Sequence, residues 1–569
     1  MPKEEELGKI SKKSGGEFYN NLPKGYKRGR TKYIVVTGSV ISGVGKGTFS
    51  SCLGNLLKMK HGLKVVPIKL EGYLNYDSGT LNPYRHGEVF VLDDGTECDL
   101  DLGTYERMLN TNLTKNSFVT AGRIFKTIID KERAGKYLGR DVQFIPHVTG
   151  EIKNLLRRLA LNSDADIVMI EIGGTVGDIE NSYFLEAMRE LGHEEGKENV
   201  CFINVVYILE PGSLGEQKSK AAQLGLRTLM GIGIQPNMVV CRCEHPVINA
   251  IKEKISIYSN VPVSRVIDIF DTKNIYKVPL HLAGLGVDDM IFEILGMKRV
   301  VKPHANFLNW KQLAKKTDMA KERLLIGIGG KYTNVHDSYM SIIKALEHTT
   351  PCFGFSVDIK WIETTGISSE KDAKKYMHDI NGLIIPGGFG VRGVEGKIEC
   401  IKYARENNIP FLGLCLGFQL AAIEFARNVC GIRDASSTEI DAKTKNPIIC
   451  ILPGQESVNN LGGTMRLGGY DMLLKKGSLA YKLYKSAKAR ERHRHRFEMN
   501  PKYIKALEKN GLVFSGTSVN GKLMEILEIP KNDFYLATQY HAEFTSKPLE
   551  PNPLFKGFVE AAIGYKKKK

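Results

Sequence analysis

From Lys32 onward, short runs rich in β-branched residues alternate with helix-length amphipathic periods, and this alternation constrains the fold more than any other feature. YIVVTG is followed by TFSSCLGNLLKMK and KVVPIKL, and DIVMIEIGG, NVVYILE and NMVVCR continue the series to about Gly296. Buried strands separated by amphipathic helices imply a parallel sheet with helices on its faces. A second series starts at LLIGIGG, runs through SVDIKWI, GLIIPGG and PFLGLCLG, and ends with the strand YLATQYHAEF and the helix PLFKGFVEAAIGY. The stretch 298–323 between them is charged, has weak strand signals and reads as a linker with a connecting helix. The expected organisation is a basic extension (1–30), an α/β domain (31–297), the linker (298–323), a second α/β domain (324–565) and a basic tail (566–569). Both domains are expected to be doubly wound, and 569 residues suit two such units better than one.

Composition narrows the class. At 42% apolar and 25% charged residues the chain can bury real cores. No apolar run reaches the roughly 18 residues of a membrane span, and the charged N-terminus lacks a secretory signal, so a cytoplasmic protein with no membrane partner is expected. Of the formal charge of +17, residues 1–30 supply +4 and Lys566 to Lys569 another four. The body is only mildly basic, which suits nucleotides as well as a polymer; the tails read as solubilising ends, and no nucleic-acid partner is expected. Ten cysteines without a CxxC pair or metal-ligand spacing read as reduced thiols.

One cysteine stands apart. Gly413-Leu414-Cys415-Leu416-Gly417 joins the strand PFLGL to the helix QLAAIEFARNV, a nucleophile elbow with cysteine in the serine position. The helix N-terminus favours thiolate, and the Leu416 N–H can face a developing oxyanion, with Gly388 of the loop Pro386–Gly390 as a second donor. TQYHAEF supplies a base and its orienter: on a strand, His541 and Glu543 share a face. A buried core thiol is the bland alternative, and the elbow, donor loop and His-x-Glu together outweigh it.

The first domain carries Val36 to Thr48, VTGSVISGVGKGT, between a strand and a helix. Backbone N–H groups of such a loop cradle phosphates and its lysine neutralises them. It is not a strict Walker A, because Gly47 follows Lys46 and Thr48 comes one place late. In CDLDLG, Asp99 and Asp101 are expected to alternate onto one face of a strand, and Glu171 ends the strand IVMIEI. Acids at strand ends converge on the phosphate crevice and are natural Mg²⁺ ligands, so an ATP-using site is expected.

Residues 324–564 resemble the class I glutamine amidotransferase domain, which hydrolyses glutamine through a cysteinyl thioester; Ala542 stands where that family usually has proline. From Lys32 to Tyr565 the chain resembles the CTP synthase family, on TGSVISGVGKGT, HGEVFVLDDG, DLDLGTYER, EIGGTVGDIE, GIGIQP, GGTMRLG, ERHRHRFE and the amidotransferase motifs. The resemblance implies a P-loop-like synthetase domain of the dethiobiotin-synthetase type before the amidotransferase domain. It implies a ligase that aminates UTP to CTP: ATP phosphorylates O4 of the uracil, and ammonia from glutamine crosses an internal tunnel to displace the phosphate. By motif match, Lys46 and Lys69 serve phosphoryl transfer and Asp101 and Glu171 hold Mg²⁺. Ser42, Asp178, Ile179, Glu180, Lys218, Lys220, Gln223 and Lys254 face the pyrimidine nucleotide, and Gly43, Val44, Gly45, Gly47 and Thr48 complete the phosphate loop. Asp271 contacts the ATP base. Gln419, Glu439 and Arg496 grip glutamine, Arg466 lies in a loop linked to allosteric activation by GTP, and His86 with Tyr137-Leu138-Gly139 lies on the ammonia route. CTP as feedback inhibitor and a homotetramer able to form filaments are implied as well.

Two stretches depart from the family pattern. Lys69-Leu70-Glu71-Gly72-Tyr73-Leu74-Asn75 has Glu-Gly for Asp-Pro, and Lys218-Ser219-Lys220-Ala221-Ala222-Gln223-Leu224 loses Pro, a Thr and His. A different ATP-dependent amidotransferase, such as a cobyric-acid-type amidase, is disfavoured by the uracil-side motifs. A retired structural protein is disfavoured by the intact chemistry of both sites.

Overall fold

The computed structural model describes residues 22–212, 215–298, 304–331, 335–452 and 464–569. Residues 1–21 of the basic extension, 299–303 of the linker and the two glycines opening GGTMRLG lie outside the described residues. The chain divides into two compact units, 1–77 with 115–314 and 78–114 with 315–569. The sequence reading kept 78–114 inside the 31–297 domain; this stretch packs with the second unit instead.

The first unit is built on a seven-stranded sheet. Its spatial order is Phe118–Thr120, Val65–Glu71, Ile167–Ile172, Lys32–Gly38, Val200–Tyr207, Met238–Cys243 and Val266–Phe270, and every neighbouring pair is parallel. All six residues of Ile167–Ile172 are buried, as a strand covered on both faces must be. The helix Lys46–His61 follows the first strand through the glycine-rich loop and stops at Gly62, which is left-handed (φ 71°) and donates its N–H to the Lys58 carbonyl.

The second unit holds a nine-stranded mixed sheet. Phe355–Glu363, Glu322–Gly330, Gly382–Ile385, Phe411–Leu414 and Tyr535–Thr538 run parallel in that order. Met524–Glu528, Val513–Ser518, Arg466–Leu474 and Lys488–His495 extend it antiparallel. Apolar clusters pack its helices, one around Phe411, Phe418 and Ile423, another around Ile326, Leu412 and Phe558. The connecting helix of the linker is Ala305–Met319, and the following strand starts at Glu322, two residues before the expected LLIGIGG.

Two local expectations change. The closing strand ends at Thr538, and Ala542–Phe544 is a 3-10 turn, so His541 and Glu543 are not strand neighbours sharing a face. Asp99 ends the short strand Glu97–Asp99 and caps the helix Leu100–Leu109, its side chain accepting the Asp101 N–H. Asp101 lies in that helix's first turn, so the two acids do not alternate on one strand. The reason is shared: each segment meets a helical turn where a side chain or a tight bend satisfies N–H groups that a strand would have paired.

Candidate functional site

The elbow is built by close packing. Cys415 stands between the strand Phe411–Leu414 and the helix Leu416–Asn428 with φ 51° and ψ −97°, a conformation costly for a non-glycine residue. Its N–H is held by the Thr538 carbonyl at 2.7 Å. A Cβ on Gly417 would lie 2.2 Å from the Ile385 carbonyl oxygen, so only glycine lets the helix start this close to the sheet.

Cys415, His541 and Glu543 are all buried. The His541 Nδ1 lies 2.7 Å from the Glu543 Oε1, which fixes the ring and leaves Nε2 for other work; that buried atom has no hydrogen-bond partner among the described residues. Gly387 brings the pieces together: a Cβ there would meet the His541 Cε1 at 2.6 Å and lie 3.5 Å from the Cys415 Cβ. Burial lowers the proton affinity of His541, but the charges of Glu543 and Cys415, with the Glu543 hydrogen bond, prevail and raise it to about 10. Leu416 opens the helix, and the Gly388 Cβ position is 3.6 Å from its Cδ2, so the two expected N–H donors come from adjoining segments.

Around this centre the Glu439 Oε1 accepts the Gly390 N–H at 2.8 Å. Arg496 donates to the Thr464 Oγ1 at 2.9 Å, and the Gln419 Nε2 donates to the Phe497 carbonyl at 3.2 Å. Sequence reasoning passed over Gln539, whose Nε2 is 3.9 Å from the Cys415 Sγ, although it stands in TQYHAEF two residues before the histidine. It also missed Arg494, which pairs with Glu97 at 2.8 Å and lies over the Phe389 ring. Arg466 is not in a loop: it opens the strand Arg466–Leu474, and its nearly buried guanidinium is held by Glu525 at 2.7 Å and Glu498 at 3.1 Å. The two carboxylates take three of its five N–H donors.

In the first unit the Lys46 Nζ donates to the Gly174 carbonyl at 2.5 Å, and Gly45, left-handed at φ 93°, precedes the helix. Within the same loop Val40 has φ 85°, a costly conformation for a β-branched residue and one that collects at ligand-holding turns. Ser42, Gly43, Val44, Gly47 and Thr48 lie in this loop and the first turn. Lys69, buried, lies 3.1 Å from the Glu71 Oε1 and 3.7 Å from the Glu171 Oε1. The longer acid at position 71 thus reaches the lysine, and a Cβ on Gly173 would meet its Oε2 at 2.4 Å. Asp271 is ion-paired with Arg242, whose Nε is 3.5 Å from the Gly45 Cβ position.

Apart from Lys254, the pyrimidine-side residues lie on or just before the helix Lys220–Gly231 and on two loops that adjoin it: a Cβ on Gly225 would lie 2.4 Å from the Ser39 Cβ, and one on Gly177 would lie 3.5 Å from the Thr228 Cγ2. Asp178 accepts the Thr175 N–H at 2.7 Å before the turn Ile179–Asn181 that carries Glu180. Lys218 pairs with Glu216, Gln223 donates to Ser219 at 2.9 Å, and Lys220 and Lys254 are exposed. Among the described residues no hydrogen bond or ion pair joins Ser42 or Asp178–Glu180 to this second set. Tyr137-Leu138-Gly139 forms a turn in the first unit, with Leu138 at φ 55°; His86 ends the helix Pro83–His86 of the second. Glu171 belongs to the first unit and Asp101 to the second, and among the described residues no three His, Cys, Asp or Glu side chains are grouped for a metal. No described helix is long and apolar enough to cross a membrane.

The family described as CTP synthase N-terminus matches residues 32–297, and glutamine amidotransferase class-I matches 334–561. A CTP synthase of Pyrococcus abyssi is 49% identical over 540 residues, covering 95% of this chain and 99% of that protein. One from Staphylococcus epidermidis is 46% identical over 538 residues, covering 95% and 100%. A solved glutaminase domain of Trypanosoma brucei CTPS with bound acivicin is 36% identical, covering 42% of this chain and 94% of that one at a TM-score of 0.40. With near-complete coverage of both sequences and a synthetase and a glutaminase portion in the same order, the chain belongs to the CTP synthase family, which converts UTP to CTP with ATP and glutamine.

Proposed function

We propose that the two halves of this reaction are divided between the two units, with Cys415 releasing the ammonia that the first unit consumes. The observation that carries this reading is the buried Cys415, His541 and Glu543 constellation, with the imidazole fixed at Nδ1 and unpartnered at Nε2. The Cys415 thiolate attacks the glutamine amide carbon, and the Leu416 and Gly388 N–H groups receive the developing oxyanion. His541 gives its proton to the departing nitrogen, and ammonia leaves a thioester. Water, deprotonated by His541, then adds to the thioester and releases glutamate. Glu439 suits the α-ammonium of glutamine, Arg496 its carboxylate, and Gln419 the remaining polar edge.

In the first unit the loop from Ser42 to Thr48 and Lys46 cradle the ATP phosphates, and Lys69 steadies the phosphoryl group in transfer to O4 of UTP. Loss of that phosphate to attacking ammonia gives CTP. Mg²⁺ belongs to the same reading. Glu171, a buried carboxylate at a strand end, has the oxygen chemistry for this hard cation, and Asp101 is the second acid the motifs offer. Bound there, the metal would neutralise phosphate charge. Asp271 is assigned to the ATP base, and Ser42, Asp178–Glu180, Lys218, Lys220, Gln223 and Lys254 to UTP and, as feedback inhibitor, CTP. Ile179, 84% exposed beside Asp178 and Glu180, supports a homotetramer in which more than one copy completes the nucleotide site. Activation by GTP, internal passage of ammonia past His86 and Tyr137–Gly139, and a cytoplasmic setting complete the proposal; the free cysteines fit the last.

Cys415→Ala tests the division. CTP formation from glutamine is expected to vanish and formation from added ammonia to persist; equal loss with both nitrogen donors contradicts it.

A further inference from the structure

The second unit contains a cavity of about 240 Å³ on which His541 and Glu543 open. The remaining wall mixes apolar side chains such as Leu81, Val89, Ile342 and Phe544 with the polar Thr80, Ser338 and Arg494. Glu88 is the other carboxyl group on this wall. Its Oε2 accepts the Ser341 N–H at 2.9 Å, in the first turn of the helix Met340–Thr349. That bond and a hydrogen bond with the Ser341 side chain fix the group's direction and use two of about four lone-pair sites on a carboxylate. Glu88 belongs to the HGEVFVLDDG motif, and neither the glutamine chemistry nor the nucleotide site described above employs it.

Ammonia freed at Cys415 is small, neutral and a strong hydrogen-bonding molecule, and among the polar groups on this wall Glu88 is the one carboxyl that the triad does not use. We infer that Glu88 is the hydrogen-bonding station that receives ammonia in this cavity and holds it for transfer. This rests on the proposed division of labour and adds the residue that handles nitrogen between its release and its use. Burial pushes the Glu88 carboxyl up to about 7, with Ser341 opposing and Glu543 reinforcing the shift.

The test uses the full-length protein with UTP, Mg-ATP and glutamine, and divides CTP formed by glutamate formed. Glu88→Gln retains an oxygen for the Ser341 N–H and removes the ionisable group; Glu88→Ala removes both. In Glu88→Gln, CTP per glutamate is expected to fall about tenfold, the size of one lost charge-assisted hydrogen bond, while glutamate release stays close to that of the parent chain. An unchanged ratio overturns the inference. So does a parallel loss of glutamate release and CTP in Glu88→Ala that Glu88→Gln restores, because that marks a helix cap and nothing more. Cys415→Ala with added ammonia separates the failures: if it loses CTP synthesis, the division itself falls, and if it keeps it while Glu88→Gln stays coupled, only Glu88 is misassigned.

Discussion

Burial strips water from the His541 imidazole and by itself would lower its proton affinity, yet Glu543 and Cys415 raise it to about 10. The sign follows directly. A histidine ordinarily near 6.5 and raised to about 10 stays imidazolium at neutral pH; its stabilising pairing is fully present below 6.5 and is lost as pH rises through about 10. Glutamine-dependent CTP formation is therefore expected to fall on the alkaline side near pH 10. Glu543→Gln is expected to move that limb to lower pH and cut the glutaminase rate by about 10²-fold or more. A pH profile of glutamate release checks both, and an unmoved limb would remove Glu543 as the orienter. Cys415 was legible because the elbow declares itself in five consecutive residues. The turn carrying His541 and Glu543 was not, because the segment's apolar alternation imitates a strand up to the point where the chain bends.

At the scale of the element, Arg490, Arg492 and Arg494 alternate along the strand Lys488–His495, and each finds an acid in the stretch 78–114. Arg490 meets Asp93 at 3.0 Å, Arg492 meets Glu106 at 2.7 Å, and Arg494 meets Glu97 at 2.8 Å. The Arg492–Glu106 pair is almost wholly buried, and Arg492 also donates to the Val91 carbonyl. This ladder explains why 78–114 packs with the second unit. The alternation of arginines was visible in RERHRHRFE, but their partners lie almost 400 positions earlier, and no local pattern links residues that far apart. Arg492→Met leaves the buried Glu106 carboxylate with the Leu113 N–H but without its guanidinium, and is expected to destabilise the second unit by about 3–5 kcal/mol. Adding Glu106→Gln is expected to recover part of the loss. Thermal unfolding of the single and double variants measures this, and equal instability of both would mean that packing, not the charge, holds the stretch.

For the whole molecule, division of labour predicts opposite selectivity from the two units. Lys46→Ala is expected to abolish CTP formation from glutamine and from ammonia alike, by 10²-fold or more on the scale of lost electrostatic stabilisation of a transition state, while glutamate release survives. Assays of both products check this; CTP formation unaffected by the change would remove Lys46 from phosphoryl transfer. Assembly is testable at the same scale. Ile179→Asp places a charge on an apolar side chain that the single chain leaves 84% exposed, and sedimentation is expected to show a smaller species than the parent chain; an unchanged size would place the subunit contact elsewhere.

The sequence by itself determined the two α/β series, the phosphate loop and the elbow at Cys415, because each is written in contiguous residues whose backbone demands are local. That Glu71 reaches Lys69, that Arg466 is paired with two glutamates, that 78–114 packs with the second unit and that Glu88 shares a cavity with His541 was settled only in three dimensions. Those facts depend on which distant side chains share a buried, low-dielectric space, and close packing settles that where local propensity cannot.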